Sequence, residues 1–274
     1  MNRQLIITIS FVLLLGFGCK TTSKVNTAAI ENSKTPIREH SIQALLWQQQ
    51  AAEYKALCHQ AFNLAKLRID EIVGENKHFK RPLAIITDVD ETVLDNSPYN
   101  AKMVLTDSNY KRETWIDWGN EIKAKPVPGA LAFFNYAAKK GVTIFYLSNR
   151  YNVQKEATIK NLIRAGFPNV DSTHVLLRTT TSAKKPRRDS VAYKYQIIML
   201  LGDNLSDFSE EFDKQSTKNR NNLVEKMAND FGNKFIVLPN PMYGDWETKG
   251  IYEGSYKWTA SQKDSIRKAK LISY

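Results

Sequence analysis

Cysteine is nearly absent: the 274 residues contain two, Cys19 and Cys58, which leaves no disulfide framework to build a fold around. No segment recurs at a fixed period, which argues against solenoids and propellers. One sustained apolar run stands at the start, Leu5 to Leu15, and it is too short to cross a bilayer as a mature helix. Lysine and arginine outnumber the acids, 39 to 28, yet they are spread along the chain, and the densest basic run, "KKPRR" at 184–188, is short. With no concentrated basic stripe and no recognised binding motif, nucleic acid is not an expected partner. Twelve glycines, nine prolines and 42% hydrophobic residues are ordinary values, so what is present is one globular domain of generous size, or one with a small attachment.

The first residues are an exception. Arg3 followed by the apolar run reads as an export signal. It ends "LLLGFGCK", with small Gly18 directly before Cys19, and so resembles a bacterial lipoprotein signal in which Cys19 becomes the lipid-bearing N-terminus; Gly16 stands where a large aliphatic residue is usual, with Leu15 one place back. An acylated Cys19 leaves Cys58 unpaired, and Cys58 reads as a small buried side chain on a helix. The expected organisation is a signal at 1–18, a flexible polar tether at 19–40 and a domain at 41–274. Its core spans about 81–247, with a helical subdomain from about 41–80 and 248–274 that packs beside the sheet or serves a homodimer contact. The expected location is the cell envelope, anchored to a membrane by lipid. Lys20 is not the acid that commonly retains lipoproteins in the inner membrane, which favours the outer one.

From Ser41 to Val73 a helical period runs through Leu45, Ala52, Ala56, Ala61, Leu64 and Leu67, giving one long helix or two before Gly74. Four short aliphatic runs then read as strands buried on both faces: "PLAIITDVD", "VTIFYLSNR" (142–150), "YQIIMLLGDN" (195–204) and "KFIVLPN" (234–240), with "VLLR" at 175–178 as a fifth. Helical patterns at 129–140 and 154–166 alternate with them, which means parallel pairing and an α/β open sheet. In such sheets ligands bind beyond the carboxyl ends of the strands. Three ends carry polar chemistry here: Asp88 and Asp90, Ser148 and Asn149, Asp203 and Asn204.

Clustered, partly buried carboxylates repel unless a cation compensates them, and a hard divalent ion with oxygen ligands does so. The rim therefore predicts a Mg²⁺ site. A calcium loop of the EF-hand type is excluded, because its fifth and sixth positions would be Thr92 and Val93. With its charge shielded, an aspartate at a strand end can attack phosphorus, and a second acid two residues on can serve as general acid and base. A lysine to balance phosphate charge is also needed; Lys184 is the candidate and Lys185 the alternative. Asp95 is a turn acid beside Ser97 and Pro98, while Arg187 and Arg188 read as surface or local ion pairs.

In "DVDET", "LSNR", "SAKKPRR" and "GDNLSDF", taken in order, the chain resembles the haloacid dehalogenase superfamily of phosphohydrolases, and more closely the bacterial class C acid phosphatases, the 5′-nucleotidase lipoprotein e family. The matches run from residue 83 to about 247. The resemblance implies a Rossmann-like open parallel sheet with a small, mainly helical cap or subdomain. It implies Asp88 as nucleophile and metal ligand, Asp90 as acid/base offering its carbonyl to the metal, Ser148 and Lys184 on the phosphoryl group, and Asp203 completing the Mg²⁺ site. Asp207 takes a supporting role near the metal or Lys184, and Asn149 joins the substrate-binding residues. In the insertion at about 97–128, Trp115 would stack on a substrate ring, faced by Tyr243 of "NPMYGDW", while Trp118 packs inward. The implied substrates are phosphomonoesters, nucleoside 5′-monophosphates and nicotinamide mononucleotide among them. The alternative is a catalytically weak, lipid-anchored nucleotide-binding protein of the same fold; loss of the nucleophile is its usual mark, and Asp88 is intact.

Overall fold

A computed structural model describes residues 35–74 and 79–274; the predicted signal, Cys19 and most of the predicted tether lie outside the described residues. Helices α1 (Ile42–Gln50) and α2 (Ala52–Gly74) come first, followed by strand β1 (Leu83–Thr87). A short excursion follows: β2 (Leu94–Asp95), α3 (Ser97–Leu105), α4 (Arg112–Asn120) and β3 (Lys125–Pro126). The chain then alternates through α5 (Ala130–Lys139), β4 (Thr143–Tyr151), α6 (Lys155–Ala165), β5 (Val175–Arg178), α7 (Lys185–Lys194) and β6 (Gln196–Gly202), and ends with α8 (Thr217–Lys226), β7 (Phe235–Val237) and α9 (Ala260–Ala269).

Five strands form one sheet in the order β5-β4-β1-β6-β7, all parallel, and β2 pairs with β3 in a separate antiparallel ribbon. Side chains alternate across a strand, so neighbouring residues of β1 serve opposite layers. Ile85 joins Ile144, Tyr146, Met199 and Leu201 beneath Phe62, Ala65 and Ile69 of α2 and Phe133, Phe134 and Ala137 of α5. Ala84 and Ile86 face the other way, with Phe145, Leu147, Leu200, Phe235 and Val191 of α7. Burial on both faces is why these strands are continuous aliphatic runs rather than alternating ones.

The expected helical stretch is two helices: Ala51 is extended (ψ 132°) and separates α1 from α2. Cys58 is fully buried on α2 as expected, and burial pushes its thiol up to about 11, so it stays uncharged and unreactive. Residues 37 and 38, in the stretch read as the end of the tether, are bonded to the domain. The amides of Ile37 and Arg38 donate to Asp107 Oδ1 (2.6 and 3.2 Å), so this segment is tied to the chain after α3. From β1 the sheet grows outward to β4 and β5, then restarts on the other flank with β6 and β7. That reversal puts the carboxyl ends of β1, β4 and β6 side by side, where open α/β sheets bind ligands.

Phe134 is completely buried, with ring centroids 5.0 to 6.2 Å from Phe62, Phe133, Tyr146 and Phe167. Phe134→Ala is expected to cost about 3–5 kcal/mol in urea unfolding. Leu105→Ala, at a side chain 86% exposed, is expected to stay within about 0.5 kcal/mol.

Candidate active site

The Asp88 amide donates to Leu201 O (2.9 Å), extending the β1–β6 ladder one residue past the strand and fixing the carboxylate at the sheet rim. Asp203 follows the last residue of β6, and Asp207 sits on a short helical turn with its Oδ2 accepting from the Asn204 amide (3.0 Å). One carboxylate oxygen from each of Asp88, Asp203 and Asp207 lies within 4.8 Å of the others. Gly202 makes this approach possible, since a Cβ there would stand 2.4 Å from Asp207 Oδ2.

Lys184, 6% exposed, puts its ammonium between Asp88 Oδ1 and Asp207 Oδ1, the latter at 2.7 Å. Burial pushes the Asp88 carboxyl up to about 7, with Lys184 opposing and the charges of Asp207 and Asp90 adding to the rise. Asp203 is likewise held well above the usual carboxylate range, by burial first and then by Asp207 and Asp88. Burial works against the Lys184 charge, but Asp207 and Asp88 outweigh it and hold the ammonium above its ordinary value. One ammonium cannot balance three carboxylates, two of them buried and that of Asp203 partly so, and the donor set, all oxygen and all anionic, fits a hard divalent cation. Lys185 lies at the surface, 2.8 Å from Asp189, so the geometry separates the two lysines that the sequence left open.

Asp90 stands apart from that cluster. Its Oδ2 accepts from Ser148 Oγ (3.0 Å), and its Oδ1 accepts from Arg150 Nε and Asn96 Nδ2 (2.9 Å each). Arg150 is 1% exposed and also donates to Asn96 Oδ1 (3.1 Å), which in turn accepts from Trp118 Nε1 (2.8 Å), so Trp118 does pack inward. Sequence reasoning passed over Arg150 and Asn96. The available signal was an arginine two residues after Ser148 on a buried parallel strand, a place that demands an acidic partner.

Glu91 was missed as well. It is fully buried at φ 59°, a region costly for any residue but glycine, and its carboxylate accepts from the Asn96 amide (2.9 Å) and the Tyr243 hydroxyl. Asn240 Nδ2 donates to Asp203 Oδ2 (2.7 Å), an outer brace for the cluster. Asp95 accepts from Gln48 Nε2 (3.0 Å) and from the amide and hydroxyl of Ser97 (2.8 and 3.1 Å), which is turn chemistry.

The basic run at 184–188 is no solvated loop. Arg187 donates to Ser148 O and Asn149 Oδ1 (2.7 Å each), so the exposed Asn149 has its amide oxygen engaged within the protein. Arg188, 7% exposed, donates to Asp207 O (3.1 Å) and pairs with Glu210 (2.9 Å), tying α7 to the turn that carries Asp207. Beside this rim opens a cavity of about 610 Å³ whose walls include Trp115 and Tyr243 together with Tyr99, Tyr110, Tyr252 and Trp258. The Trp115 ring packs edge-on against Tyr99 (5.1 Å, 72°), and the Arg150 guanidinium lies 5.6 Å from its centroid.

Acids one residue apart at the end of a central parallel strand, with a buried lysine reaching them from another element, define the phosphohydrolase class of the haloacid dehalogenase (HAD) superfamily. A family model described as HAD superfamily, subfamily IIIB (acid phosphatase), matches residues 13–246, and the chain belongs to that family. It is similar to the class C acid phosphatase from Bacillus anthracis, with 42% identity, 86% of this chain and 98% of that one covered, and a TM-score of 0.81; the same enzyme with tungstate bound matches equally. Acid phosphatase 1 of Solanum lycopersicum is 26% identical over 65% of this chain and 68% of its own length. The stem 31 kDa glycoprotein of Glycine max is 27% identical over 57% of each, so the chain spans little more than half of that curated relative.

Mg²⁺ is expected to raise the melting temperature of the protein, reaching about 2.7 kcal/mol of stabilisation at one hundred times its dissociation constant. Because Asp88 holds its proton up to about 7, and cation binding must expel that proton, the rise should be larger at pH 8 than at pH 5. Gly202→Ala, which drives a methyl into Asp207, should abolish the Mg²⁺-dependent rise in differential scanning fluorimetry.

Proposed function

We propose that the protein is a Mg²⁺-dependent phosphomonoesterase that hydrolyses nucleoside 5′-monophosphates and nicotinamide mononucleotide through an aspartyl-phosphate intermediate. The carrying observation is the buried Lys184 bridging Asp88 and Asp207 while Asp90, two residues from Asp88, is separately aimed by Ser148, Arg150 and Asn96. Asp88 attacks phosphorus, the ester P–O bond breaks, and the departing oxygen takes a proton from Asp90. Water then attacks the phosphoaspartate, returns a proton to Asp90, and releases phosphate with Asp88 restored. Ser148 and Lys184 hold the phosphoryl oxygens, and Asn149 lines the approach.

Asp88, Asp203 and the Asp90 carbonyl would hold the cation, with Asp207 supporting it; when bound, it supplies charge neutralisation for the transferring phosphoryl group. Tungstate bound to the B. anthracis enzyme supports the oxyanion reading, since tungstate is a tetrahedral dianion like phosphate. The ring preference is supported by the aromatic cavity, where stacking on Trp115 and Tyr243 is worth about 1–3 kcal/mol per base. From "LLLGFGCK" we also infer export and lipid anchoring at Cys19, placing the domain in the bacterial envelope at the outer membrane. Among the described residues no helix is long and apolar enough to cross a membrane.

Phosphate release from adenosine monophosphate, nicotinamide mononucleotide and p-nitrophenyl phosphate, with Mg²⁺ and with chelator, tests the reading. Asp88→Asn is expected to lower kcat by roughly 10³-fold or more while AMP binding stays measurable by calorimetry. A folded wild-type protein that binds AMP and releases no phosphate in Mg²⁺ would overturn it.

A further inference from the structure

Glu91 takes no part in the chemistry above, yet it is fully buried one residue from Asp90 and holds a left-handed backbone conformation, φ 59°. Such a conformation persists only where its surroundings enforce it. Here the Glu91 amide donates to Leu94 O (2.8 Å), and its carboxylate accepts from the Asn96 amide (2.9 Å), Asn96 Nδ2 (3.4 Å) and the Tyr243 hydroxyl. The first two partners lie on the same loop. The third comes from 152 residues away, from a tyrosine that lines the cavity.

The segment bearing Tyr243 follows β7 and is held at two points. Asn240 donates to Asp203 Oδ2 (2.7 Å) while its own Oδ1 accepts from the Met242 and Tyr243 amides (3.0 and 3.4 Å). The tip of Tyr243 then reaches Glu91. A tyrosine ring offered to a ligand on one face is useful only if its rotation is already arrested, because arresting it on binding costs affinity. A hydrogen bond from the hydroxyl to a carboxyl oxygen that is itself held by other partners arrests it.

We propose that Glu91 is a positioning residue that locks the Tyr243 ring into the cavity wall and thereby sets the preference for phosphomonoesters that carry a ring. The proposal rests on the phosphatase reading for its substrate side only. The carboxyl oxygens accept from all three partners. The amide of a glutamine would set its N–H against an Asn96 N–H in either orientation, but could keep a bond to Tyr243 by donating to the hydroxyl, so removing the lock requires removing the polar group. The chemistry of Asp90 and the selectivity of the wall are thus governed by adjacent residues of one loop.

The test measures kcat/KM for AMP and for ringless glycerol phosphate in wild type, Glu91→Ala, Tyr243→Phe and the double variant, together with amide hydrogen exchange over residues 238–244. Tyr243→Phe removes the same bond while keeping the ring, so it guards against a Glu91 variant that fails to fold. The AMP-to-glycerol-phosphate ratio is expected to fall roughly tenfold in each single variant, as for loss of one buried hydrogen bond. The double variant should fall no further, and exchange at 238–244 should quicken in all three. Equal losses on the two substrates, an unchanged ratio, additive effects or unchanged exchange would each overturn the proposal. A wild type that hydrolyses neither substrate would overturn the phosphatase reading instead, and the exchange measurement would still decide whether Glu91 holds the loop.

Discussion

Charge balance at the end of β1 governs this structure. Asp88, Asp203 and Asp207 converge where water is largely excluded, and Lys184 supplies one positive charge among them. Such an arrangement is unfavourable alone, and the surrounding structure enforces it. The β1–β6 ladder continues through the Asp88 amide, Gly202 leaves room for Asp207, Asn240 braces Asp203, and Arg188 holds the main chain of the Asp207 turn. Burial and mutual repulsion raise the Asp88 and Asp203 carboxyls, an unfavourable charge crowding of the kind that a bound cation offsets.

Two aspartates separated by one residue occupy contrasting settings. Asp88 is paired with a lysine inside an anionic cluster, whereas Asp90 is enclosed by a hydroxyl, an amide and a guanidinium. Environments that differ this sharply over so short a span allow one acid to be a nucleophile and the other a proton carrier. Period-two alternation would aim residues two apart to the same side, so the divergence of Asp88 and Asp90 depends on the chain leaving the extended conformation after Thr87 and turning at Glu91, φ 59°.

The strands were legible because burial on both faces writes them as unbroken aliphatic runs; "VLLR" is read with its observed bounds, 175–178. The acids were legible because each stands directly after such a run. Arg150 was not, since its partner Asp90 lies 60 residues away and an isolated arginine in "SNR" carries no local pattern. The sequence left open whether one helix or two stood here, and the position of the break at Ala51 was invisible for the opposite reason: alanine favours helix, and the extended residue there interrupts a pattern that continues on both sides. Glu91 was hidden by its own motif, where the neighbouring aspartates absorb the chemical interpretation. Nothing in the string signals its left-handed backbone, which glycine or asparagine would have advertised.

The segments at the two ends of the described chain have a role beyond covering the sheet. Ile37, Arg38 and His40 meet Glu247, Tyr252 and Trp258 around the same cavity that Trp115 and Tyr243 enter, and His40 Nε2 lies 3.6 Å from Glu247. The rim is therefore built by strands that charge balance and the β ladder hold rigidly, while the wall is built by aromatic side chains from outside the sheet. Substitutions in the wall can change its shape without disturbing the carboxylate cluster, whereas almost any change at the rim leaves a buried charge unpaired. That asymmetry leaves the rim little room to change and the cavity wall much more, except at Tyr243, whose hydroxyl bonds to Glu91 beside Asp90.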